Sequence, residues 1–401
     1  MSETQKNTKP NVPNLRFPGF EGEWKSCNLG EIASLSKGVG ISKDQRTNDG
    51  NPCILYGELY TTYSTEIIDE VVSKTNLPAK GLVKSEANDV IIPASGETAI
   101  DISTARCVTQ SDVFLGGDLN IIRLKGHDGK FFSYQLNGVR KKDIAKVAQG
   151  VSIVHLHGSD LETIRVCYPS RREQEKISGL LSLIDQRIAI QNRVIERYES
   201  LIKALNQHHF RRVRVDETIS FVNLSDILHE RREYCENDGT YPHASLSKEG
   251  VDVKTERFDR DFLVRDEEKK YKVTRLNDIC YNPANLKFGV ITRNKKGPLI
   301  FSPIYVTFSV SDNFDPEYIE YYLTEPDFIR KMLRFEQGTV YERMAVSPED
   351  FLSERIRIPD KKSQTKHAHL ISEVNRYLDS ERRLLNNWLC VKRYILSEMF
   401  I

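Results

Sequence analysis

The residue arrangements that carry catalysis are missing from this chain. Methyl transfer to adenine uses an Asn/Asp-Pro-Pro-Phe/Tyr loop, and the nearest string, Asn282-Pro283-Ala284-Asn285, lacks the second proline and the aromatic. No G-x-x-x-x-G-K-S/T run is present to cradle nucleotide phosphates, and SKGVG at 36–40 is too short for a dinucleotide fingerprint. PDKK at 359–362 resembles a nuclease fragment but has no acidic-x-Lys partner, and it reads better as a helix start. His155 and His157 are two apart, while His208, His209, His367 and His369 fall on helical patterns where neighbours one or two apart face different ways. No cysteine or carboxylate cluster completes a metal set around them, so they read as polar surface histidines. No nucleophile elbow appears. The seven cysteines (Cys27, Cys53, Cys107, Cys167, Cys235, Cys280 and Cys390) are scattered singly and are expected to be reduced and structural. The sequence predicts a chain with no catalytic residues, no metal and no cofactor of its own.

What must be positioned is therefore a binding surface. At 401 residues the chain exceeds one ordinary core and predicts two or three domains. A hydrophobic content of 39% with 29% charged residues is that of a globular chain, and no run approaches the roughly 18 apolar residues of a membrane span. The start, MSETQKNTKPNVPN, is polar without an apolar h-region, which predicts a cytoplasmic protein. Lys and Arg total 58 against 57 Asp and Glu, so any nucleic-acid face must come from local segregation of charge.

The organisation is an internal repeat. Pro169 and Pro359 are 190 residues apart, as are Asp160 and Asp350, Gln174 and Gln364, Lys176 and Lys366, and Phe210 and Phe400. Upstream, NLGEI (28–32) answers NLSDI (223–227), NDVIIPA (88–94) answers NDICYNPA (277–284), and AQGVS (148–152) answers EQGTV (336–340). After each proline a heptad seam begins. Ile177, Leu181, Ile184, Ile188, Gln191, Ile195, Tyr198, Ile202 and Leu205 are matched in phase by His367, Ile371, Val374, Leu378, Glu381, Leu385, Trp388, Lys392 and Ile395. Ser170 with Glu173 forms a capping-box pattern, and Asp360 with Ser363 can cap the second helix. Some 40 residues make a rod of roughly 60 Å.

The fold class predicted is α+β: two globular domains and two long helices forming an antiparallel coiled coil, in a pseudo-two-fold repeat. The boundaries are a flexible tail at 1–14, a first domain at 15–168, a central spacer helix at 169–212, a second domain at 213–358 and a C-terminal spacer helix at 359–401. Gln191 and Glu381 fall at equivalent places, where a polar pair would fix helix register. Two rival readings fit parts of this pattern: a structural adaptor whose coiled-coil hairpin carries two protein-binding domains, and a hydrolase with an unfamiliar motif.

Two unlike globular segments, each followed by an equivalent P-x-x-x-E-Q-x-x-I type helix, resemble the DNA-specificity subunit of type I restriction-modification systems. Pro169, Arg172, Glu173, Gln174, Lys176, Ile177, Leu180, Leu181 and Asp185 carry the resemblance, which extends from NVPNLRFPGFEGEW to the terminal ILSEMF. The second copy departs from it, with Ser363 for Glu and His367 for Ile. The resemblance implies a non-catalytic DNA reader whose two target-recognition domains each read half of a split asymmetric sequence in double-stranded DNA. It implies paired helices that set the spacing and dock two methyltransferase subunits, and restriction subunits with translocase and nuclease activity that join the complex. S-adenosylmethionine and ATP/Mg would then act on the partner chains, with no membrane involved. Two half-sites about 34 Å apart, one helical turn, suit such a spacer.

Given that implication, backbone contacts call for Lys and Arg, and base reading for amides, hydroxyls and arginines. In the first domain the candidates are Lys37, Lys43 and Arg46, Tyr56, and the turn with Gln149, Gly150 and Ser152. In the second they are Tyr281, Asn282, Asn285 and Lys287, then Gln337, Gly338, Thr339, Tyr341 and Arg343.

Overall fold

The structure is a computed structural model describing residues 11–150, 153–236, 239–253, 270–336 and 344–401. Backbone contacts divide it into two compact units, one comprising residues 1–193 and 383–401 and the other residues 194–382. Each is α+β, as expected, and each contains one segment from either long helix.

In the first unit, β1 (Lys25–Asn28) pairs antiparallel with β7 (Arg165–Tyr168), closing the globular part. Between them lie β2 (Ala33–Lys37), β3 (Ile67–Ile68), β4 (Asp89–Pro93), β5 (Arg106–Val108) and β6 (Leu119–Leu124), in the spatial order β2-β6-β4-β5-β3. All five residues of β4 are buried, because the sheet is covered on both faces. Val90 and Ile92 point into a core with Trp24, Phe131 and Phe132, and Ile91 into another with Ile54, Leu59 and Leu115. That second core is roofed by a smaller sheet with Asn51–Ile54 and Phe114–Leu115 among its strands. Helix α1 (Gly129–Asn137), capped by Asp128, supplies Phe131 and Phe132. The expected tail lies partly outside the described residues. Of the remainder, Asn11 accepts the Trp24 N–H and Asn14 hydrogen-bonds Glu398.

The second unit repeats this frame. Strand β8 (Phe221–Asn223) pairs with β13 (Arg355–Arg357), and the sheet β9 (Leu228–Glu230), β10 (Ile279–Tyr281), β11 (Ile291–Arg293) and β12 (Val306–Val310) has the order β9-β12-β10-β11. Helix α3 (Pro316–Leu323) takes the place of α1, and Asp315 caps it.

The long helices are α2 (Arg171–Val215) and α4 (Lys361–Glu398), each starting two residues after its proline. At 45 and 38 residues they extend roughly 68 and 57 Å. The second is capped as read, with Asp360 accepting the Ser363 N–H at 3.1 Å. At the first, Ser170 Oγ accepts the Glu173 N–H at 3.4 Å, but Glu173 does not close the box: its carboxylate is taken by Arg16, at 2.8 and 2.9 Å. Every position of both seams is buried or half-buried. In the first unit Asp185 meets Lys392, and in the second Glu199 meets Arg382 and Asn206 meets His367. In the second unit rising numbers on one helix meet falling numbers on the other, so the segments pair antiparallel there. Gln191 is buried in the first unit and Glu381 half-buried in the second. Phe400, at the end of α4, completes the first core against Trp24 and Phe131; Phe210, near the end of α2, packs against Tyr318 and Tyr322 of the second.

Candidate nucleic-acid interface

The matched NDVIIPA and NDICYNPA segments form part of the scaffold. Asn88 and Asn277 adopt the left-handed conformation (φ 83° and 70°), which Asn tolerates better than most residues. Each turns the chain so that the following aspartate is buried against a bidentate arginine. Asp89 accepts from Arg123 at 2.9 and 2.8 Å, and Asp278 from Arg231 at 2.6 and 2.9 Å.

This corrects two of the expected DNA contacts. Tyr281 is fully buried, stacked on Phe308 and Phe351 at 5.7 and 4.9 Å, with its hydroxyl donating to the Val346 carbonyl at 3.1 Å. Its position on an inner strand leaves no face for a ligand. Asn282 is also buried, and its Oδ1 accepts the Ala284 N–H at 3.1 Å to cap the turn Pro283–Phe288. Asn285 is half-buried on that turn, and Lys287, at its end, is exposed.

In the first unit Lys43, Arg46 and Tyr56 come together around a cleft of about 660 Å³. Its walls are the Gly40–Arg46 loop after β2, the Leu55–Thr62 segment after Asn51–Ile54, and Gly117-Asp118 before β6. Lys43, Gln45, Arg46, Thr61 and Thr62 are exposed, Tyr56 is half-buried, and Glu58 is buried in the floor. The Arg46 Nη1 donates to Glu58 at 3.3 Å and its Nε to the Lys43 carbonyl at 3.2 Å. Sequence reasoning missed Gln45, Glu58, Thr61 and Thr62. Gln45, two residues from Lys43, was the one within its reach.

In the second unit a cleft of about 450 Å³ is lined by Lys248, Lys287, Phe288 and Arg330. Phe288 is 62% exposed, with Lys287 Nζ 5.4 Å from its ring centroid. Gly289 ends the turn at φ 77°, a conformation that favours glycine. Lys287 and Arg330 are drawn toward Glu336 (3.9 Å) and Asp327 (3.1 Å). Lys248, Phe288 and Arg330 were not anticipated, because distant segments bring them together.

Both clefts sit at the same end of the repeated sheet. The registers Lys37↔Asn120 and Leu119↔Pro93 place the C-terminal ends of β2 and β4 beside the start of β6. Tyr281↔Val306 and Tyr281↔Ile291 do the same for β10, β12 and β11. The starts of α2 and α4 pack near Asp128 and Asp315, beyond the opposite ends of β6 and β12.

Of the other candidates, Lys37 is exposed at the end of β2. Gln149 is exposed, with its backbone paired to His155 at 2.9 and 2.7 Å. Gly150 (φ 130°) is required there, since a Cβ would fall 2.1 Å from the Ile153 carbonyl. Ser152, Gln337, Gly338, Thr339, Tyr341 and Arg343 lie outside the described residues.

Two histidines read as surface residues are not. His209 and His367 stack at 3.8 Å between ring centroids, and burial pushes both pKa values down to about 4. Among the described residues no three His, Cys, Asp or Glu side chains cluster as metal ligands, the cysteines are free thiols, and no helix is long and apolar enough to cross a membrane.

Comparison with known proteins agrees with this architecture. Residues 21–199 match the family model of the type I restriction modification DNA specificity domain. A crystal structure of the S subunit of a type I restriction-modification system from M. genitalium is similar at TM-score 0.61 and 16% identity, covering 97% of this chain and 99% of that one. A chain from a structural study of complex assembly and conformational transition in a type I R-M system is similar at TM-score 0.55 and 13% identity, over 97% and 99% of the two chains. Comparison with curated protein sequences gives no match. Residues 21–199 are thus similar to the type I restriction modification DNA specificity domain, and the chain as a whole shares the fold of solved type I S subunits.

Proposed function

We propose that this chain is the DNA-reading subunit of a type I restriction-modification complex. Each unit reads one half of a split, asymmetric sequence through its cleft. The helices α2 and α4 set the spacing and dock methyltransferase subunits, with Gln191 and Glu381 fixing their register. Methylation with S-adenosylmethionine and ATP/Mg-dependent restriction belong to partner chains, and the complex works in the cytoplasm.

The observation that carries this reading is a frame used twice with different residues at its reading end. The proline-led helix start, the left-handed asparagine, the buried Asp–Arg pair and the capped α1 or α3 recur. The cleft residues do not: Lys43, Gln45, Arg46 and Tyr56 in one, Lys248, Lys287, Phe288 and Arg330 in the other. A symmetric sequence needs two equal readers, whereas a split asymmetric one needs two different readers on equivalent supports. Cations supply sequence-independent attraction to phosphates, and the amides, hydroxyls and rings beside them supply discrimination.

Deleting the chain from its host and sequencing the methylome tests the proposal. A bipartite methylated motif should vanish on deletion and return on complementation. If the methylome is unchanged, the proposal fails.

A further inference from the structure

We infer that Arg46 reads a guanine in the half-site of the first unit and that Glu58 is its positioning residue. The inference rests on DNA reading by this cleft and adds the base and the residue.

Glu58 is only 6% exposed, on the one-turn helix Glu58–Thr61 in the cleft floor. Its carboxylate joins three segments. It accepts the Leu55 N–H at 2.9 Å, the Ser73 hydroxyl, and the Arg46 Nη1 at 3.3 Å. The second tether on Arg46, from Nε to the Lys43 carbonyl at 3.2 Å, fixes the plane of the guanidinium. Its Nη2 and the remaining Nη1 hydrogen have no partner among the described residues. The arginine side chain is 36% exposed and its carboxylate partner 7%, so the pair is anchored at the acid and open at the base.

A phosphate contact can be made by a point charge on a flexible stem, and exposed Lys43 on the same loop supplies one. A base edge rewards a fixed plane with two parallel N–H donors. In the major groove guanine alone presents two adjacent acceptors, O6 and N7, that match them. Adenine turns its N6 amino donor toward the same fork and leaves one arginine donor unpaired. Pre-ordering by Glu58 removes the entropy cost of holding Arg46 in that plane.

The test replaces the chain in its host with Arg46→Ala, Arg46→Lys or Glu58→Gln and reads the methylated motif. Wild type should show a bipartite motif with a guanine in one half. Arg46→Ala should cut the preference for guanine at that base pair by about 10-fold or more and leave the other half intact. Arg46→Lys, which keeps the charge and loses the fork, should relax the same pair. Glu58→Gln should relax it too, with the purified chain's melting temperature within a few degrees of wild type.

Absence of any bipartite motif in wild type would overturn DNA reading itself. A motif in which Arg46→Ala relaxes a pair other than G·C, or weakens all positions equally, overturns the guanine assignment and leaves DNA reading standing. Full recovery with lysine demotes Arg46 to a phosphate contact. Relaxation by Arg46→Ala but not by Glu58→Gln removes Glu58 from the mechanism.

Discussion

Gln174 and Gln364, 190 residues apart, make the same two hydrogen bonds in the two units. Gln174 accepts the Asp128 N–H at 3.0 Å and donates to the Pro169 carbonyl at 2.9 Å; Gln364 accepts the Asp315 N–H at 2.9 Å and donates to the Pro359 carbonyl at 2.7 Å. Both are buried, so each carboxamide locks the start of a long helix to the cap of a neighbouring one. Replacing either with alanine strands a backbone N–H and a carbonyl. Each change should cost about 1–3 kcal/mol, read as a lower urea midpoint, with the methylated motif unchanged.

The first unit holds a buried charge cluster of a different kind. Lys392 Nζ lies 2.7 Å from both Glu66 and Asp185, and the Tyr134 hydroxyl donates to Asp185 at 2.7 Å. Burial, reinforced by Glu66, pushes the Asp185 carboxyl up; burial opposes the Lys392 charge, but the two carboxylates outweigh it. Lys392→Met leaves two carboxylates facing each other and should cost about 3–5 kcal/mol at pH 7. In that variant the folded chain holds protons more tightly than the unfolded one, so the deficit should shrink as pH falls toward 5. A urea series at both pH values measures it.

The stacked pair His209 and His367 has the opposite dependence. His209 Nε2 meets the Tyr318 hydroxyl at 2.9 Å and His367 Nε2 meets the Asn206 carboxamide at 2.9 Å, with Arg212 and His208 as nearby charges. Burial, with the neighbouring cations, lowers the His209 pKa to about 4, and burial alone lowers that of His367 to about 4. Both are neutral in the fold, so their contribution is full above the unfolded value of about 6.5 and is lost as pH falls from there toward 4. The unfolding midpoint should drop across that window. His367→Ile, which places the Ile177 side chain type at the equivalent position, should flatten the drop.

Phe288 separates contact from folding. It is exposed, so Phe288→Ala should leave stability within about 0.5 kcal/mol while weakening DNA binding by the complex several-fold. Lys287→Ala should weaken binding across all sequences and lower the salt slope by about one. Electrophoretic shift titrations over a salt series distinguish the two.

The frame was legible because it is local and duplicated. Pro169 and Pro359 announce helix starts, and the four-three spacing from Ile177 gives a seam whose burial follows the chain position by position. The reading surface was less legible. Arg46 and Glu58 are near in sequence, but Gly117 reaches the same cleft only through strand pairing, and Lys248, Phe288 and Arg330 meet through three separate segments. Tyr281 was misjudged for an instructive reason. It lies in a segment answered in both copies, and what two different readers share is their support. Glu173 shows the same limit on local rules, since a capping-box glutamate was claimed by an arginine 157 residues earlier.

The crossed placement of Phe210 and Phe400 bears on biosynthesis. The first half of the chain leaves the ribosome early, but the ring that closes its core is residue 400, translated after the whole of the second unit. Trp24 and Phe131 must therefore wait, exposed or sheltered by a chaperone, until α4 is complete. Maturation of the first unit therefore waits for synthesis of the whole second unit, and a nascent chain stalled before α4 should present that unfinished apolar surface to the quality-control machinery of the cell.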